Sequence, residues 1–189
     1  MKDPERIYFL TSNMGKYREA AAVAAASGLR LHMLTASKVE IQASSLQRIA
    51  SYAAREAANR LEVNIVAEDA GLFVEKLHGF PGPYSSDAFK RLGTEGILKL
   101  MENISQRNAE FRSAVAFCKP CSKPRCFIGT VAGTINYNPR GTGGFGYDPI
   151  FIPVKGDGRT FAQMTVKEKN RISHRAESFR KLAQWLRKA

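Results

Sequence analysis

The stretch Ile65-Val66-Ala67-Glu68-Asp69-Ala70-Gly71-Leu72 joins an apolar run, which needs burial, to two adjacent carboxylates, which resist it. The run fits a buried strand, and the glycine fits a tight turn at its end. Side chains alternate along a strand, so Glu68 and Asp69 are expected at the rim of a sheet, pointing to opposite faces. Loops at the rims of α/β sheets carry chemistry. One of these acids could therefore hold a metal or deprotonate a water; the alternative is a solvated acidic turn.

The flanking chain reads as strands alternating with helices. Ile7 to Leu10 is a buried strand, and Thr11-Ser12-Asn13-Met14-Gly15-Lys16 is a polar turn into an alanine-rich helix closed by Gly28. Such a helix start is an anion site: its free N–H groups point at the ligand, and Lys16 adds an ammonium. The spacing is not that of a P-loop. Leu31 to Leu34 reads as a second strand, and Glu40 sits between Val39 and Ile41 at the edge of an apolar surface. Ser45 to Leu61 is a helix with the stripe Leu46, Ile49, Ala53 and Ala57. The Gly/Pro-dense segment 78–86 reads as a constrained loop, and Gly93 to Met101 as a helix. Phe111 to Cys118 and Phe127 to Ile135 form a hairpin.

In Gly141-Thr142-Gly143-Gly144-Phe145-Gly146-Tyr147-Asp148-Pro149 the glycines let backbone approach a ligand, and Phe145 or Tyr147 could stack on a flat ring. A strand, Ile150 to Ile152, follows. Thr165 to Glu168 is a capping box, and Ser173 caps a last helix with the stripe Ala176, Phe179, Leu182, Ala183 and Leu186. His174 and Arg175 then fall in a first helical turn, where cations oppose the helix dipole by roughly 0.3–1 kcal/mol each. With Lys169 just upstream, three potential cations converge on one junction, which points to an anionic ligand.

The 189 residues suit one domain, and 44% hydrophobic with 24% charged residues is an ordinary globular balance. No apolar run approaches the roughly 20 residues that span a membrane. Met1 to Arg6 lacks the apolar core of a signal peptide, so the expected location is cytoplasmic. Lys+Arg 29 against Asp+Glu 17 gives +12, which favours a polyanionic partner. No single-stranded-RNA module signature is present. Cys118, Cys121 and Cys126 are too few for a closed zinc site with no histidine nearby; they read as thiols at a hairpin tip, with a local disulfide the alternative.

Taken together, Thr11-Ser12-Asn13-x-Gly15-Lys16-x-x-Glu19, Glu68-Asp69-x-Gly71-Leu72, Gly79-Phe80-Pro81-Gly82-Pro83-Tyr84-Ser85, Gly144-Phe145-Gly146-Tyr147-Asp148-Pro149-Ile150-Phe151 and Lys169-Asn170-x-x-Ser173-His174-Arg175 resemble the inosine triphosphate pyrophosphatase family. Each motif is short; all of them in this order, from residue 7 to the C-terminus, are specific. The resemblance implies an elongated α/β fold, with a mixed β-sheet flanked by helices in two lobes around a central active-site cleft. It implies a single pyrophosphatase domain over 1–189, a homodimer, and Mg2+-dependent hydrolysis of non-standard purine nucleoside triphosphates to the monophosphate and pyrophosphate.

The resemblance also assigns roles. Thr11, Ser12, Asn13 and Lys16 hold the triphosphate, and Glu40 and Asp69 position Mg2+. Asp69, or Glu68 beside it, activates the attacking water, and Lys16 and Lys169 offset charge on the leaving group. Phe145 stacks on the purine, with Gly146 and Tyr147 in the same loop. His174, Arg175 and backbone around Asp148 read the base edge. Two positions depart from the family: Ala70 replaces a usual Ser or Thr in the substrate contacts, and Gln163 stands where an acid is general. The rival readings are a related pyrophosphatase acting on dTTP or UTP, and a basic nucleic-acid-binding protein without catalysis. The second does not explain carboxylates beside the anion site, so neither stable nucleic-acid binding nor a membrane partner is expected.

Overall fold

The computed structural model describes residues 6–39 and 41–188, so Glu40, one expected metal ligand, lies outside the described residues. Among the described residues, six strands form one sheet in the order β2-β1-β3-β4-β5-β6. They are β1 (Ile7–Leu10), β2 (Leu31–Leu34), β3 (Asn64–Val74), β4 (Asn108–Cys118), β5 (Arg125–Ile135) and β6 (Phe151–Pro153). β1 pairs parallel with both neighbours, Phe9 standing opposite Met33 and Val66. Parallel neighbours need long crossovers, here supplied by α1 (Met14–Ala26) and α2 (Leu46–Leu61). β6 is antiparallel to β5, with Thr134 opposite Ile152. β4 and β5 are adjacent and joined only by 119–124, too short for anything but a hairpin. The sheet is therefore mixed and the class α/β, as expected.

The chain divides into two compact units. The first comprises Met1–Asp69, Ser113–Gly129 and Arg175–Ala189. Its core gathers Phe9, Val23, Val66, Val115, Phe179 and Leu182. Phe179 comes from α5 (His174–Leu186) and meets the Phe9 ring edge-on at 5.3 Å. The second unit comprises Ala70–Arg112 and Thr130–His174. Leu72, Ile97, Met101, Phe111, Ile135, Phe151 and Phe161 form its core, each such side chain contributing about 1.5–3 kcal/mol on burial. No helix among the described residues is long and apolar enough to cross a membrane.

Two local expectations are corrected. Gly71 does not end a strand in a turn: β3 runs on to Val74, so Glu68 and Asp69 lie in mid-strand rather than at its rim. Gly71 is needed there because the backbone of Gly82 lies against it; a Cβ would stand 2.7 Å from the Gly82 carbonyl carbon and 3.0 Å from Ser85 Oγ. The helix expected from Gly93 begins earlier, as α3 (Ser85–Leu100), with a kink at Gly93 (φ 61°, ψ −162°). Gly93 breaks the backbone pattern without ending the element, because the chain turns there and resumes a helical course.

The cysteines are free: Cys118 is buried, Cys126 is partly buried and Cys121 is exposed in the turn. Burial pushes the Cys118 and Cys126 thiols above their ordinary range.

Candidate active site

In the first unit, one group of candidate residues is built on the N-terminus of α1. Asn13 caps it, its Oδ1 accepting the Lys16 N–H at 3.0 Å, while Thr11 Oγ1 accepts the Asn13 N–H at 3.1 Å. These bonds fix the turn, and helical geometry leaves the Met14 and Gly15 N–H groups without intrahelical acceptors. Ser12 and Asn13 are exposed. From this turn Lys16 reaches Glu68 on β3, Nζ to Oε2 3.2 Å, with its side chain 23% exposed.

Glu68 is fully buried and heavily engaged. Arg175 Nε donates to its Oε1 at 2.8 Å, Arg175 Nη2 lies 3.4 Å from Oε2, and Ser113 Oγ donates to Oε1 at 2.9 Å. Arg175 also donates from Nη1 to Glu19 Oε2 at 2.6 Å. Burial pulls the Arg175 guanidinium down, but the charges and hydrogen bonds of Glu68 and Glu19 outweigh it, and the net shift is upward. Asp69, next along the strand, is only partly buried, and Ala70 after it is also partly exposed.

At 2% side-chain exposure Arg175 is paired twice within the protein, with Glu19 and Glu68. A buried guanidinium without such pairing would be costly, which is why a helix start with an unfavourable dipole tolerates it.

Other candidate residues belong to the second unit. In the glycine loop, Asp148 is buried, and its Oδ2 accepts the Phe145 N–H at 2.9 Å and the Lys169 ammonium at 2.6 Å. A side chain at Gly144, where φ is +68°, would collide with this carboxylate. Lys169 lies over two rings, 5.0 Å from the Phe145 centroid and 5.2 Å from that of Phe161. Lys169, with 3% side-chain exposure, thus helps to shape the aromatic loop. His174 stacks on Phe111 at 4.7 Å, nearly parallel at 9°. Phe145 and Gly146 are partly exposed.

Tyr147 does not offer its ring for stacking, because the ring is 3% exposed and packs edge-on against Phe89 at 5.2 Å. Its hydroxyl has no hydrogen-bond partner among the described residues, and burial pushes it up to about 12. An unsatisfied buried hydroxyl costs about 1–3 kcal/mol. Tyr147→Phe is therefore expected to raise stability by about 1 kcal/mol, a melting shift of ~2–4 °C. A melting temperature lowered by that amount would show that the hydroxyl has a stabilising role.

Lys169 is carried by α4 (Val166–Ile172), whose start is a capping box: Glu168 Oε2 accepts the Thr165 N–H at 2.7 Å, and Thr165 Oγ1 accepts the Glu168 N–H at 3.3 Å. The Arg159 guanidinium, bonded to Glu168 Oε1 at 2.8 Å, together with Thr165, holds the Glu168 carboxyl at about 2, below its ordinary 4.5. A depressed carboxylate stabilises the fold above its unfolded value, and that contribution is lost as pH falls through the folded value. The melting difference between the wild type and Glu168→Gln should therefore be constant above about 4.5 and vanish towards about 2. A difference independent of pH would refute this. Gln163, the departure from the family's acid, caps a turn of its own, its Oε1 accepting the Thr160 N–H at 3.0 Å.

The sequence reading gave Glu19 no role, although it is the one acid in an alanine-rich helix and sits one turn after Lys16. Ser113 and Ser178, both fully buried and 2.9 Å apart at their Oγ atoms, were not legible at all.

Known proteins resemble this chain over nearly its whole length. The chain is 46% identical over 180 residues to the dITP/XTP pyrophosphatase of Methanopyrus kandleri, covering 95% of each chain. It is 46% identical over 182 residues to that of Thermococcus kodakarensis, covering 96% of this chain and 97% of the relative. Among solved structures, a HAM1 protein from Coxiella burnetii superposes with a TM-score of 0.85 at 29% identity, over 97% of this chain and 99% of the other. The model of the Ham1 family matches residues 7–185. With its phosphate-type helix start, its mid-strand acid pair and its aromatic glycine loop all inside that span, the chain belongs to the Ham1 family.

Proposed function

We propose that the chain hydrolyses non-standard purine nucleoside triphosphates (ITP, dITP and XTP) to the nucleoside monophosphate and pyrophosphate. The observation that carries this reading is the pairing of Lys16, at the capped start of α1, with Glu68 beside Asp69. On this reading, phosphate donors would stand beside the acid pair that supplies the base. Relatives at 46% identity bear the name dITP/XTP pyrophosphatase, which supports the substrate class.

Thr11, Ser12, Asn13 and Lys16 would bind the phosphates, and Asp69 would take the proton of the water attacking the α-phosphorus. Phe145 would lie against the purine, on a loop shaped by Asp148 and Lys169. His174 and backbone around Asp148 would meet the base edge. Donors there favour the acceptor O6 of hypoxanthine and xanthine over the amino group of adenine.

Mg2+ fits this donor set. Among the described residues no group of three or more His, Cys, Asp or Glu forms a cage. Mg2+ beside a nucleotide typically takes one or two carboxylates, with phosphates and waters completing its shell. Asp69 would be one ligand, and Glu40 is proposed as the other from its sequence position. Bound there, the ion would neutralise phosphate charge.

Residues 1–189 would act as one pyrophosphatase domain in the cytoplasm, as a homodimer; exposed Phe80 and Tyr84 supply apolar surface for such a contact, and light scattering would report the mass. The chemistry is tested by product analysis of ITP incubated with purified protein and Mg2+. IMP and pyrophosphate are expected, with turnover lost on chelation and restored by Mg2+. IDP and phosphate as products would contradict the reading.

A further inference from the structure

We propose that Thr160 is a positioning residue for the nucleobase: its buried hydroxyl pins the glycine loop 141–148, and with it Phe145, onto the turn Phe161–Gln163. This rests on the reading above that Phe145 lies against the purine, and it adds the seat on which that loop is held.

The loop needs such a seat. Arg140 and Gly141 to Gly144 are exposed, so burial contributes little to their position, and hydrogen bonds must set it. Thr160 Oγ1 donates to the Arg140 carbonyl at 2.7 Å, while the Arg140 N–H donates to the Pro149 carbonyl at 2.9 Å. The residue entering the loop is thereby held on both sides, once to the turn and once to the residue leaving the loop. Further in, the Gly143 N–H donates to the Ala162 carbonyl at 3.0 Å. The contact is close: a Cβ at Gly141 would stand 2.5 Å from the Ala162 carbonyl carbon, and one at Gly143 2.9 Å from its oxygen.

The turn is a firm platform. Phe161 is fully buried and packs on Phe151 at 5.2 Å, so the backbone of Ala162 and Gln163 follows the core of the second unit. Thr160 is itself fully buried. Its hydroxyl is not spent on the turn, because the Gln163 side chain does that work by accepting the Thr160 N–H at 3.0 Å. A hydroxyl has one proton, and Arg140 O at 2.7 Å is a better acceptor than Gln163 Oε1 at 3.4 Å. The bond therefore spans 20 positions to the loop. Asp148 and Lys169 shape the tip around Phe145, and Thr160 fixes where that tip stands.

The test compares Thr160→Val, which keeps the shape and removes the donor, with Thr160→Ser, which keeps the donor. Gly143→Ala breaks the same seat independently. ITP hydrolysis gives the kinetics, and calorimetry follows IMP, which carries the base, and inorganic tripolyphosphate, which does not. Thr160→Val and Gly143→Ala should lose kcat/KM for ITP by roughly 10–100-fold, mainly through KM, with IMP binding weakened in parallel. Tripolyphosphate affinity should stay at the wild-type value, and Thr160→Ser should stay within about twofold of wild type throughout. Unchanged IMP binding in Thr160→Val would overturn the proposal. Tripolyphosphate binding weakened as much as IMP binding would also overturn it, as would a Thr160→Ser variant as impaired as Thr160→Val. If Thr160→Val alone fails to fold, Gly143→Ala decides by the same comparison; if both fail, the seat serves stability and the proposal falls. Should the unmodified protein cleave no triphosphate, the pyrophosphatase reading falls, while IMP against tripolyphosphate binding still decides the role of Thr160.

Discussion

Asp69→Asn is expected to reduce kcat for ITP by roughly 10²–10⁴-fold while leaving the fold and melting temperature near those of the wild type. The two adjacent acids of β3 are chemically alike, and their surroundings separate them. Both oxygens of the buried Glu68 carboxylate are engaged, by Arg175, Ser113 and Lys16. A carboxylate so engaged is a poor proton acceptor, since protonation would break charge-assisted bonds. Asp69 is partly exposed, which suits the base role proposed for it. Glu68→Gln should behave differently, because it leaves Arg175 with half its compensation and so costs stability as well as rate. An undiminished rate in Asp69→Asn would remove Asp69 from the chemistry.

Gly71→Ala should be the most destabilising single-methyl change in β3. Its Cβ would overlap the Gly82 carbonyl oxygen and press on Ser85 Oγ at 3.0 Å. Ser85 cannot simply yield, because its hydroxyl accepts the Leu72 N–H at 2.8 Å and donates to Gly82 O at 2.7 Å. The turn at Gly82–Tyr84 would have to lift from the strand, breaking both bonds. A loss of roughly 3 kcal/mol or more is expected, a fall of ~6–12 °C in melting temperature. A variant melting within a degree or two of the wild type would show that the turn moves freely, contrary to this packing.

Elements with local signals were legible in the sequence, and those fixed by distant partners were not. β1, β2, α1, α2, α4 and α5 all follow from apolar periodicity and caps: Asn13, Ser45 and Thr165 each accept the N–H of the residue three positions on. Gly71 was read as a turn because nothing local reveals that Gly82 packs on it. The first half of α3 was hidden because Gly82 and Pro83 precede it and Gly93 interrupts it.

The site divides the same way. The residue types at the helix start, the acid pair and the aromatic loop stood out by spacing. The true state of Arg175 did not, because its partners Glu68 and Glu19 lie 107 and 156 positions away. A cation opposing a helix dipole signals some compensating negative charge, and only the fold shows that the protein supplies it. Lys169 repeats the lesson over 21 positions, with Asp148 as its partner.

The central claim is that this member of the Ham1 family removes non-standard purine nucleotides. It is tested most directly by the rate of pyrophosphate release from ITP, XTP, dITP, GTP, ATP, dTTP and UTP with purified protein and Mg2+. The account predicts the highest kcat/KM for ITP, XTP and dITP, with ATP and the pyrimidine triphosphates far below. A preference for dTTP or UTP would move the chemistry to a different substrate class. Absence of cleavage for every triphosphate would contradict the account outright.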